Sequence, residues 1–190
     1  MAVEVEEKPL PSWGKAALTL NVLLVLSCWL MVAYFYPRLP DVVPTHFDWE
    51  GNPTSWGPKS TIAFTIMPAV ITVVVAFASL TALLRYKIVK RFPYLISIPA
   101  LSLALGSPKV PPDVRGSAIN RMIAFVLAEV ALLAAWMVFF NIGMLQSTLE
   151  GRFIHGPALL ASILALVIVL IASSIIYYRR LYLEVRQYFT

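Results

Sequence analysis

Apolar residues along this chain are gathered into four blocks, at 16–36, 61–84, 122–145 and 157–178, separated by polar or proline-rich segments. As a helix, each block is long enough to cross a hydrocarbon core of about 30 Å, which takes ~20 residues. The pattern predicts an all-α integral membrane protein with four transmembrane helices. The first block ends at Pro37, and a proline stops a helix. The second carries Pro68 in its first third, which predicts a kink unless the helix begins later. Small residues recur at helical spacing in the last two blocks, as Ala124, Ala128, Ala131, Ala135 and as Ala158, Ala161, Ala165. Such faces let helices approach closely in lipid. Spans three and four are therefore expected to pack through them as an antiparallel hairpin, 122–178.

The intervening segments divide the rest of the chain. Residues 1–15 form a charged tail with Pro9 and Pro11, read as mobile. Residues 37–60 form the first loop, dense in polar, aromatic and turn-forming types. Residues 85–121 form a basic linker that opens with Arg85, Lys87, Lys90 and Arg91, a cluster suited to anionic lipid headgroups. Within it, 93–106 is apolar but too short to span and is expected to lie at the interface or re-enter the membrane. Residues 179–190 form a second tail.

Composition agrees with the block pattern. Of 190 residues, 59% are hydrophobic and 13% charged, with a mean hydropathy of +0.79. A soluble domain carries about 25% charged residues. The net charge of +5 raises nucleic-acid binding, but the placement of the cations speaks against it. Two Lys precede the first span, seven Lys/Arg separate spans two and three, and three Arg follow span four. Only Arg38, Lys59 and Arg152 fall in the other two loops. Basic loops stay in the cytoplasm, so both termini are expected inside and the 37–60 loop outside. Glu4, Glu6 and Glu7 and the length of the first apolar run argue against a cleaved leader. The single cysteine, Cys28, lies mid-span and reads as a buried thiol, and a lone cysteine excludes an internal disulfide.

Two places could carry chemistry. In the first loop His46, Asp48 and Glu50 alternate, so an extended backbone would point all three the same way. With His155 from the other outer loop they form a weak candidate metal set; the plainer reading is that they shape the loop. Pro40, Pro44, Pro53 and the turn signal Gly51-Asn52-Pro53 favour a fixed conformation, a compact cap over the helix ends. Trp49 and Trp56 suit a membrane–water interface. The second place is Glu129, seven residues into span three and roughly 10 Å deep at 1.5 Å per residue. An ionisable group there costs about 2.5–3.5 kcal/mol on insertion scales, so it invites a functional reading. Asn21, Ser79 and Ser173–Ser174 are expected at similar depth, as a polar cluster around it. Phosphate-binding loops, HExxH and Gly-x-Ser-x-Gly are absent, and no cofactor is expected.

The loop residues Leu39, Pro40, Pro44, His46, Phe47, Asp48, Gly51, Trp56, Gly57 and Lys59 also form a pattern. It resembles that of a prokaryotic membrane domain of unknown function found at the N-terminus of SdpI-like immunity proteins. The resemblance covers roughly residues 16–84. It implies two helices joined by a structured outer loop, in a multi-pass protein of the prokaryotic cell membrane. SdpI-like proteins are associated with resistance to a secreted toxic peptide and with holding a repressor at the membrane. The second motif of such proteins is not recognisable after residue 84, where two further spans follow.

Together these readings predict a non-enzymatic membrane protein that binds a peptide or partner subunit through its outer loop, using His46, Phe47, Asp48, Trp49, Glu50, Trp56 and Lys59. The alternative is a small transport or ion-coupled component built on Glu129, Asn21, Ser79 and Ser173.

Overall fold

The computed structural model describes residues 4–48, 50–92, 102, 107–153 and 156–189. Helix α1 spans Ser12–Phe35 and is followed by a 3₁₀ turn, Tyr36–Arg38. Two strands come next, β1 (Val42–Phe47) and β2 (Pro53–Pro58). Helices α2 (Thr61–Arg91), α3 (Pro112–Glu150) and α4 (Gly156–Arg186) complete the chain. All four helices are long and apolar enough to cross a membrane.

The helices outrun their apolar blocks. Helix α2 continues through Lys90 and Arg91, cations that favour a helix C-terminus. Helix α3 starts at Pro112, a residue preorganised for a first turn, with Asp113 beside it. Both ends of the 85–121 segment are therefore helical rather than linker. The 93–106 segment, Ser102 apart, lies outside the described residues.

The chain divides into two compact units, and every helix contributes to both. One unit comprises Leu20–Ala76 and Val130–Val167. Its core is Cys28 from α1, Ile71 and Val75 from α2, and Ala134, Met137 and Val138 from α3. Intervals of three and four residues place each helix's contributors on one face. Asn141, also buried, donates to Cys28 Sγ at 3.5 Å. Pro68 is fully buried inside α2. One turn on, the Thr72 hydroxyl donates to the Pro68 carbonyl at 2.6 Å and accepts from Trp29 Nε1 at 3.0 Å. The Thr72 bond is the i to i−4 back-bond common to threonine inside a helix.

The other unit comprises Met1–Thr19, Phe77–Glu129 and Ile168–Thr190. Here the expectation of a mobile tail fails: the described residues before α1 form a docked strap. The Lys8 carbonyl accepts from Asn120 Nδ2 (2.8 Å), Arg85 Nη2 (2.9 Å) and Tyr86 Oη (3.1 Å). The Lys8 N–H donates to Tyr86 Oη at 2.8 Å, and Asn120 Nδ2 also reaches the Pro9 carbonyl at 3.0 Å. Arg115 Nη1 holds the Glu4 carbonyl at 2.8 Å, and the Glu6 N–H donates to the Pro112 carbonyl at 3.1 Å. A Cβ on Gly116 would lie 2.0 Å from the Glu6 carbonyl oxygen, so only glycine admits the strap there. Tyr86, Arg115 and Asn120 are all buried. Three buried side chains reach its backbone, and each would lose a partner if the tail undocked, which holds the tail in place. The same packing brings α1 onto α3, where a Cβ on Gly14 would meet Ala124 Cβ at 2.6 Å.

The alanine stripe of span four is a second correction. Ala158, Ala161 and Ala165 are exposed, while Ala124 and Ala131 are buried without them. Helix α4 touches α3 through a different stripe, and within each unit the pairing is antiparallel. In the first-described unit a Cβ on Gly143 would lie 3.3 Å from Leu159 Cδ1, and Trp136 Nε1 donates to Ser162 Oγ at 2.9 Å. In the strap unit Ser173 and Ser174 reach Glu129, Phe125 stacks on Tyr177 with centroids 4.1 Å apart, and Arg121 pairs with Glu184 at 2.5 Å. Polar and aromatic groups make this seam, which residue size alone did not reveal.

Candidate functional site

Between the 3₁₀ turn and α2 the chain forms a two-stranded antiparallel hairpin, so the all-α reading is incomplete. Val42 pairs with Pro58, Val43 with Gly57, Pro44 with Trp56, His46 with Ser55 and Phe47 with Pro53, with register shifts around His46. Two cross-strand side-chain bonds flank the shift: Thr45 Oγ1 to Ser55 Oγ and His46 Nδ1 to Thr54 Oγ1, each at 2.7 Å. Pro44, Pro53 and Pro58 remove ladder donors and blunt the strand edges.

The turn is built on Asp48. Its Oδ1 accepts the N–H groups of Asn52 (2.8 Å) and Glu50 (3.0 Å), and its Oδ2 accepts from Asn52 Nδ2 at 3.3 Å. The Asn52 backbone N–H, with the Asn52 side chain and the N–H groups of Glu50 and Gly51 assisting, holds the Asp48 carboxyl below the usual carboxylate range. Gly51 takes φ +82°, in the left-handed region that favours glycine. Its carbonyl accepts the Phe153 N–H at 2.8 Å, which ties the turn to the α3–α4 loop. Phe47 stacks on Phe153 with centroids 5.4 Å apart.

Beneath the hairpin, Val43 and Leu39 pack with Leu145 of α3 and with Met31, Phe35, Tyr36 and Phe64. Lys59 is anchored as well: its Nζ lies 3.3 Å from Asp41 Oδ1, donates to the Leu39 carbonyl at 3.1 Å and sits 5.6 Å from the Tyr36 ring centroid. The residues singled out for binding therefore separate. Phe47, Asp48 and Lys59 are spent within the fold. His46, Glu50 and Trp56 stay exposed, Trp56 by 55% and Val42 beside it by the same fraction. Trp49 and His155 lie outside the described residues. Among the described residues no three His, Cys, Asp or Glu side chains converge as metal ligands. Asp48 faces its own turn amides, and His46 faces Thr54.

Glu129 is the second site. Its Oε1 accepts from Ser174 Oγ at 2.7 Å and Ser173 Oγ at 3.2 Å, while Ser79 is not among its described partners. Asn21, fully buried, belongs to the other unit.

Residues 23–72 match a domain of unknown function, DUF1648. Over 166 residues the chain is 31% identical to an uncharacterized protein of Archaeoglobus fulgidus, covering 87% of each. The chain carries a DUF1648 domain and belongs to one family with that archaeal protein. No solved structure matches it. The DUF1648 match falls wholly within the unit that holds the hairpin, and the strap lies outside it. Sequence reasoning missed the strap's receptor, Tyr86, Arg115 and Asn120. It assigned Arg85 and Lys90 to lipid, yet Arg85 Nε donates to Asn120 Oδ1 at 2.6 Å and Lys90 pairs with Glu7 at 2.6 Å. That hydrogen bond from Lys90 holds the Glu7 carboxyl below its ordinary range. Lys87 and Arg91 remain exposed.

Proposed function

We propose that this multi-pass DUF1648 protein is a non-enzymatic binding protein of the prokaryotic cell membrane, recognising a peptide or partner subunit through the α1–α2 hairpin. The cation distribution supports an orientation with the hairpin outside and both termini in the cytoplasm. One observation carries the reading. The hairpin is braced at its turn, base and underside, yet presents Trp56, Val42 and His46 to the surroundings. A braced surface with an exposed aromatic is what a recognition patch requires, since little ordering remains to be done on binding. Blunted strand edges favour contact through side chains over strand addition. SdpI-like immunity or signalling, or service as an accessory subunit, are the forms this role takes.

The test is co-purification from native membranes in mild detergent, with mass spectrometry of what is retained. Trp56→Ala combined with His46→Ala should lose the partner while inserting normally. An inserted double variant that keeps the partner refutes the reading.

The bonds from Ser173 and Ser174 to Glu129 favour a second reading, an ion-coupled component. It requires Glu129→Gln to change proton or solute flux in proteoliposomes; unchanged flux eliminates it.

A further inference from the structure

In the strap unit, Lys8, Pro9 and Pro11 of the strap and Ser117, Asn120 and Arg121 of α3 line an open cleft of about 490 Å³. Two of these residues are cations whose side chains stay partly exposed. Lys8 Nζ makes only long contacts: 3.3 Å to Ser117 Oγ, 3.9 Å to Glu6 Oε1 and 4.0 Å to Asp113 Oδ2. Arg121 is held through Nη2 by Glu184, yet 42% of its side chain stays exposed. Asn120 is not available, because its amide is committed to Arg85, Lys8 and Pro9.

Position says what kind of anion fits. Arg121 directly precedes the apolar block of α3, and Pro11 directly precedes α1. The cleft therefore stands at the level where an apolar span meets water, the depth of lipid phosphates. Basic pockets between membrane helices on the cytoplasmic side hold anionic headgroups. The walls suit an amphipathic ligand, with an ammonium, a guanidinium and a hydroxyl for a phosphate and two proline rings for the apolar part beside it. Glu6, Asp113 and Glu184 border the cations and would disfavour a highly charged anion over a singly charged one. We infer that the Lys8–Ser117–Arg121 cleft binds the phosphate monoanion of a lipid headgroup, so that the strap and α3 grip one lipid between them. This site is separate from the hairpin and does not depend on its role.

The experiment is a thermal-stability titration of the full chain in neutral detergent. The additives are phosphatidylglycerol, phosphatidylcholine and inorganic phosphate, each added alone. Phosphatidylglycerol should raise the melting temperature and phosphatidylcholine should do so less. Lys8→Gln, which lies outside the helices, should lose most of the rise, and Lys8→Gln with Arg121→Gln should lose all of it. Lys109→Gln, an exposed cation away from the cleft, should keep it. A rise from millimolar inorganic phosphate that Lys8→Gln abolishes would keep the phosphate site but assign it to the free anion. Equal rises with both lipids, or a phosphatidylglycerol effect that survives in the double variant, would overturn the inference.

Discussion

Asn120→Ala isolates the strap's attachment in a single substitution. Asn120 is 4% exposed and uses its whole amide, accepting from Arg85 Nε and donating to the Lys8 and Pro9 carbonyls. In the variant the Lys8 carbonyl keeps Arg85 Nη2 and Tyr86 Oη and loses little. The Pro9 carbonyl and Arg85 Nε lose their partners. One neutral bond and one bond to a charged group sum to ~2–4 kcal/mol. Arg85 is half-buried and water can reach it, so the lower end applies. About 2 kcal/mol corresponds to a ~30-fold larger population of undocked strap. The reporters are the Glu6 and Lys8 amides, bonded to the Pro112 carbonyl and Tyr86 Oη. Hydrogen exchange of the N-terminal peptide, read by mass spectrometry in detergent, should show protection in the native chain and ~30-fold faster exchange in the variant. Exchange in the native chain at the rate of an unstructured peptide would refute the docked strap. Protection unchanged in the variant would refute the role given to Asn120.

Gly51→Ala should destabilise the hairpin by about 2–3 kcal/mol, since it places a Cβ at φ +82° and 2.5 Å from the Phe153 carbonyl; a melting temperature equal to that of the native chain would contradict this. Asp48 has a folded-state pKa below its unfolded value, so its contribution is present above about pH 4 and is lost as pH falls through the folded value. Tryptophan fluorescence of the hairpin should accordingly shift on acidification, and Asp48→Asn should flatten that response. Ala161→Leu should change stability by less than about 0.5 kcal/mol, because the side chain is exposed; a large loss would restore the small-residue seam.

The four spans were legible because the length of an apolar run is a local property. The turn at Gly51-Asn52-Pro53 was legible because its residue types permit little else. The strands were not: Pro44 and Pro53 read only as restraints on a fixed loop, and the cross-strand partners show how they and Pro58 are accommodated in strands. The strap was hidden for a different reason. Its bonds join residues 77 to 112 positions apart and grip backbone carbonyls, which every residue carries. The helical spacing of alanines in α4 was real but pointed outward, because Ser162, Ser173, Ser174 and Tyr177 hold the contact face.

The strap also imposes an order of events. Lys8 leaves the ribosome 112 residues before Asn120, the last of its receptor residues to be made. At ~5–20 residues per second the gap lasts about 6–22 s. α1, the hairpin and α2 are made within that interval, and throughout it the acidic and basic residues ahead of α1 are unpaired with α3. Membrane orientation is therefore expected to be settled before the strap's docking is complete, since its bonds to Pro112, Arg115 and Asn120 wait for the start of α3. An N-terminus still open to proteases or to chemical labelling would mark a chain whose second pair of helices has not yet arrived.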